Sequence, residues 1–129
     1  MRKYLAVLIF GALGGICRSL ISQILVLPNQ FPLGTLLVNL SGCFLFSLVV
    51  HYLALAFPLS PTIISGLSVG FVGAFTTFSG LSVDALKLIA HQQYSLFILY
   101  DLTSIIGGII LALLGIMISK QLFKRWEQW

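Results

Sequence analysis

The chain has 129 residues, 59% of them hydrophobic and 8% charged, with a net charge of +4. Soluble domains carry about 25% charged residues, and a chain this short exposes too much of itself to hide that apolar surface from water, so lipid is its expected solvent. The basic residues form no long run and are not interleaved with aromatics in a polar segment, which excludes nucleic acid as a partner and points to loop charges lying near anionic lipid.

A bilayer-crossing helix needs about 20 mostly apolar residues, and the sequence offers four such runs. The first covers 4–27 and stops at Pro28 and Asn29. Met1, Arg2, Lys3 and the apolar residues after them look superficially like a cleaved signal peptide, but the run continues past Gly15 to Leu27 and three more runs follow, so it reads as a span. The second covers 33–57 and stops at Pro58; the third covers 62–87, apolar to Val83 and closed by Asp84 and Lys87; the fourth covers 96–119 and stops at Lys120. Proline and asparagine mark the breaks between them. Tyr4, Tyr52, Tyr94, Trp126 and Trp129 stand near span ends, where amphipathic rings suit the interface. The expected fold is all-α: one transmembrane domain over 1–129, with no soluble domain or linker. Cys17 and Cys43 lie inside apolar runs and read as small core residues, with no spacing for a disulfide framework or a metal.

Four crossings put both termini and the 58–61 loop on one side. That side holds Arg2, Lys3, Lys120, Lys124 and Arg125, against Lys87 alone on the other. The positive-inside bias places the termini in the cytoplasm.

Polar groups inside the spans must face protein or water, because hydrocarbon does not solvate them. In the first span Gly11, Gly15, Arg18 and Ser22 form one small, polar stripe. It suits either a close helix seam with the arginine bonded to a neighbour's carbonyls, or a positive charge that draws an anion into a vestibule. In the second span Thr35, Asn39, Gly42 and Phe46 share a face. Asn39 is either interhelical glue or a pore-lining amide that donates to an anion. His51, near the end of this span, reads as an interfacial histidine. The third span has Gly66, Gly70 and Gly73 at helical spacing, then Thr76, Thr77, Ser79 and Gly80 at mid-membrane depth. Such a cluster favours a broken helix, tolerated at that depth only where protein or water meets the freed backbone, and freed carbonyls there suit a small cation. In the fourth span Tyr100, Ser104, Gly108 and Ala112 share a face, as a packing surface or as a track of hydroxyls. Asp101, about one turn in, reads as a helix-start charge. No nucleophile with its base, no carboxylate pair, no phosphate loop and no metal spacing occurs, so passage of a small solute or ion is the expected class rather than catalysis.

Three segments together resemble the Fluc (CrcB) family of fluoride channels: Gly11-Ala-Leu-Gly-Gly-Ile-Cys-Arg18, Pro32-Leu-Gly-Thr-Leu-Leu-Val-Asn39 and Gly70-Phe-Val-Gly-Ala-Phe-Thr-Thr-Phe-Ser79. Length, span count and motif order carry the resemblance over nearly the whole chain. It implies a four-helix subunit in the plasma membrane, broken in the third helix, that pairs head to tail in an antiparallel, dual-topology dimer with two pores. It implies one structural sodium ion between the two breaks, held here by backbone carbonyls near Gly73 and Thr76. It implies that Asn39 is the pore asparagine with Thr35 on its face, that Phe78 is the first of two pore phenylalanines, that Tyr100 and Ser104 belong to a polar track, and that Arg18 matches the first-helix arginine. The implied activity is passive, electrodiffusive export of fluoride.

The sequence departs from that pattern at Leu81, where the second pore phenylalanine falls; leucine lacks a ring's positive edge. The five-to-one charge bias also sits poorly with insertion in both orientations. Together these leave open a homodimer or a heterodimer with a paired homologous subunit, in which this chain alone does not conduct. A small four-helix drug exporter of similar size requires a glutamate in the first span, where this chain carries Arg18. A structural membrane subunit without transport is the remaining alternative.

Overall fold

The computed structural model describes the chain except residues 26, 28–30 and 127–129 and the side chains of Arg125 and Trp126. The break at Pro28 and Asn29, the ring of Trp129 and those two side chains therefore lie outside the described residues. Among the described residues the protein is entirely helical, without strands. Four helices among the described residues are long and apolar enough to cross a membrane.

Helix α1 is Arg2–Ile24 and α2 is Leu33–Ala56, with a π-helical stretch at Val49–Leu53. The third span, Pro61–Ala90, is two helices. The first, α3, covers residues 61–75, with a π-helical stretch at Gly66–Val72; the second, α4, is Phe78–Ala90. Helix α5 is Tyr94–Trp126, 33 residues. At about 1.5 Å per residue α5 outruns a hydrocarbon core of about 30 Å, so its basic end, Lys120 and Lys124, reaches the interface.

Helix α1 packs against α3 and α2 against α5. Both pairs approach closely because small residues meet there, as membrane helices with no hydrophobic driving force between them require. The α1–α3 seam takes Gly11 from the stripe of Gly11, Gly15, Arg18 and Ser22 but is tightest at Gly14 and Gly70. A Cβ built on Gly14 would collide with the Phe71 carbonyl group, and one on Gly70 would stand 2.7 Å from the Val7 carbonyl oxygen, whereas Gly15 has nothing within 4 Å and Gly11 has ordinary room. On the other side, Gly115 backs onto Ser47 and Phe44 of α2. Leu36, Ala85, Leu88 and Tyr100 form the small core between α2, α4 and α5. Large apolar side chains such as Leu8, Val69 and Ile109 stand mostly exposed, the inverse of a soluble core and the arrangement lipid or a partner subunit demands.

Candidate functional site

The third span breaks between Phe75 and Phe78. Thr76 and Thr77 are both extended, at ψ 157° and ψ 116°. β-Branched side chains favour extended backbone, and hydroxyls offer the freed groups local partners. The Thr77 hydroxyl accepts from the Gly80 amide at 2.9 Å, capping the start of α4. The Thr76 amide and its hydroxyl both donate to the Val72 carbonyl at 3.0 Å.

Asn39 completes the break from α2. Its Oδ1 accepts from the Thr77 amide at 2.7 Å and its Nδ2 donates to the Thr77 carbonyl at 3.0 Å. The side chain stands where a neighbouring strand would, satisfying the Thr77 amide that the helix ends leave over and sharing the Thr77 carbonyl with the Leu81 amide, which reaches it at 3.4 Å. Nδ2 keeps a second N–H beyond this bond. A Cβ on Gly42, one turn along α2, would press on the Thr76 side chain, so the glycine makes room for the break. No backbone amide among the described residues donates to the carbonyl of Gly73 or Thr76.

A cavity of about 520 Å³ opens at this point, and Asn39, Thr76, Thr77, Phe78, Leu81 and Ser104 are among the residues that line it, with Gly73 at its edge. Phe78 is 82% exposed, an aromatic ring left bare beside a polar break. The Ser104 hydroxyl is buried without a hydrogen-bond partner. Residues scattered over three spans thus meet: Asn39, Phe78, Leu81 and Ser104.

The other sequence candidates lie elsewhere. Thr35 is buried and donates to Asp84 Oδ2 at 2.7 Å, and Asp84 Oδ1 accepts from Lys87 Nζ at 3.1 Å. This pair borders a second cavity, about 500 Å³, which Arg18, Ser22 and Ser79 also line. Arg18 makes no hydrogen bond or ion pair among the described residues; it faces that cavity instead of bonding to a neighbour's carbonyls, because the α1–α3 seam runs along Gly14. Tyr100 is fully buried in the core, edge-on to Phe31 at 5.8 Å, with its hydroxyl unpartnered. Thr35 and Tyr100 are therefore not among the residues that line the cavity at the break.

Three features escaped the sequence. Asp84 read as a span end, yet it holds Thr35 across 49 residues of chain. Thr77 is the residue that Asn39 grips, which no local pattern shows. Asp101 read as a helix-start charge, and it does lie near the start of α5, but its Oδ1 is buried without a hydrogen-bond partner. Its place on an otherwise apolar stretch was the available signal.

Residues 5–116 match the family described as CrcB-like protein, Camphor Resistance (CrcB). The chain is 43% identical over 124 residues to the Fluoride-specific ion channel FluC 2 of Listeria monocytogenes serotype 4b (strain F2365), covering 96% of this chain and 95% of that one. It is 44% identical over 115 residues to the Fluoride-specific ion channel FluC 1 of Latilactobacillus sakei subsp. sakei (strain 23K), covering 89% and 85%. It is 40% identical over 129 residues to the Fluoride-specific ion channel FluC 1 of Bacillus anthracis, covering 97% and 94%.

Proposed function

This chain belongs to the CrcB-like family, and from that membership we propose that it is a subunit of a fluoride-selective channel in the plasma membrane, which lets cytoplasmic fluoride out down its electrochemical gradient. The observation that carries the reading is the cavity at the helix break, where an amide, a hydroxyl and a bare aromatic ring converge. Fluoride is small and strongly hydrated, so its path must replace water with many weak donors in series and still release the ion. The spare N–H of Asn39 and the Ser104 hydroxyl are such donors. The Phe78 ring offers a positive edge. Asn39 is preset for this work, since its clamp on Thr77 fixes the amide plane.

The subunit works as an antiparallel dimer. Its apolar faces are left bare in the single chain, and Phe78 and Val69 beside the break are among the most exposed of its large side chains. The carbonyls of Gly73 and Thr76, free of backbone donors among the described residues, would hold a sodium ion, hard oxygens for a hard cation, and the ion would supply a fixed positive charge there.

A second reading is a heterodimer with a homologous subunit of fixed opposite orientation. The five-to-one basic bias supports it, and so does Leu81, which lines the cavity where a second ring would stand.

The test is to purify the chain alone, reconstitute it in liposomes and follow fluoride efflux by electrode with chloride as control. Fluoride-selective efflux is expected; a chain that passes chloride equally well contradicts the reading, and efflux only on co-expression with a second subunit favours the heterodimer. In the conducting assembly Phe78→Leu removes the ring's positive edge from the path, and efflux is expected to fall by about two- to tenfold, a barrier rise of about 0.4–1.4 kcal/mol. An unchanged rate removes Phe78 from the path.

A further inference from the structure

We propose that Asp101 is a brake on this pore, a carboxylate beside the fluoride path whose charge slows the passing anion. The proposal rests on the fluoride-channel reading. Asp101 lines a cavity of about 630 Å³ that Phe78, Leu81 and Ser104 also line. Those three residues border the cavity at the helix break as well, so the two spaces adjoin along one wall and the carboxylate stands next to the pore residues.

Among the described residues nothing cancels its charge. Oδ1 of Asp101 is buried without a hydrogen-bond partner, and no ion pair reaches the side chain among the described residues. Lys87, on the adjoining helix α4, is already bound to Asp84 at 3.1 Å. Arg18 faces the separate cavity that Asp84 borders. A charge within a membrane span belongs to a function more often than to packing, and acidic side chains along a path favour cations and oppose anions. In a space of low effective dielectric that opposition reaches across several ångströms. Asp101 therefore sets the rate at which this subunit passes fluoride, and its side chain holds that rate below what the donors around Asn39 would allow.

The test is a gain of function, which misfolding does not imitate. Fluoride efflux is measured from liposomes carrying the whole chain, in the subunit assembly that conducts, for the parent, Asp101→Asn, Asp101→Ser and Asp101→Glu. Removing the charge is expected to raise efflux at least about tenfold in the Asn variant, since at an effective dielectric of about 20 one unit charge opposes another by that factor even at about 12 Å. The smaller Ser variant is expected to be faster than the parent too, and the Glu variant to keep the parent's slow rate. Asn and Ser variants no faster than a conducting parent overturn the brake alone, as does a Glu variant as fast as Asn. Absence of fluoride efflux from the parent and from every variant overturns the channel reading on which the brake rests.

Discussion

Asn39→Asp is expected to reduce fluoride efflux to the level of protein-free liposomes. The substitution is nearly isosteric, so its effect is chemical. The carboxylate still accepts from the Thr77 amide, but it cannot donate to the Thr77 carbonyl, which Asn39 Nδ2 reaches at 3.0 Å. The Thr77 carbonyl keeps only the Leu81 amide, at 3.4 Å, and the lost bond, worth about 0.5–1.5 kcal/mol, loosens the junction of α3 and α4. The larger effect is on the ion, since a negative charge replaces a donor in the wall of the cavity that Phe78 and Ser104 share. Asn39→Gln separates the two contributions: it keeps the amide chemistry but displaces it by a methylene. It is expected to lower the rate without abolishing it. Parent-like efflux from Asn39→Asp would take Asn39 off the path and leave it as interhelical glue.

Gly14→Ala is expected to be the most damaging of the small substitutions for folding. The added Cβ would sit on the Phe71 carbonyl group, 3.1 Å from the Phe71 Cα. The obstacle is backbone, and no side chain can swing aside to admit it. Helices α1 and α3 would have to separate along their seam. Overpacking a tight core costs about 1–3 kcal/mol and sometimes more, and here the same seam includes Gly70 against Val7. A fall in thermal stability in detergent, with loss of the monodisperse peak on size-exclusion chromatography, is the expected reading. Gly15→Ala is the control, because nothing lies within 4 Å of its Cβ, and its stability is expected to match the parent's. Equal damage from both would mean that the seam does not decide, since helix propensity favours alanine over glycine at either position.

The sequence by itself determined the solvent, the number of crossings and the place of the interruption. Each is a local property. A run of about 20 apolar residues has only lipid to go to, and Thr76 and Thr77 bring β-branching and hydroxyls to one spot in the middle of the third run. The sequence also singled out Asn39, because a strong hydrogen-bonding amide in hydrocarbon needs a partner, whereas Phe78 came only from the resemblance to the channel family. What the tertiary structure decided is which partner each polar group takes. Asn39 grips Thr77 38 residues away and Thr35 reaches Asp84 49 residues away, and periodicity within one helix carries no term for such distances. The structure likewise chose Gly14 over Gly15 for the seam. Neighbouring residues on a helix point about 100° apart, and both positions carry glycine, so only the docking of α1 on α3 could say which one faces inward. Asp101 follows the same rule: its place beside Phe78, Leu81 and Ser104 depends on how α5 turns against α4, which is set by packing between the two helices and by nothing within either.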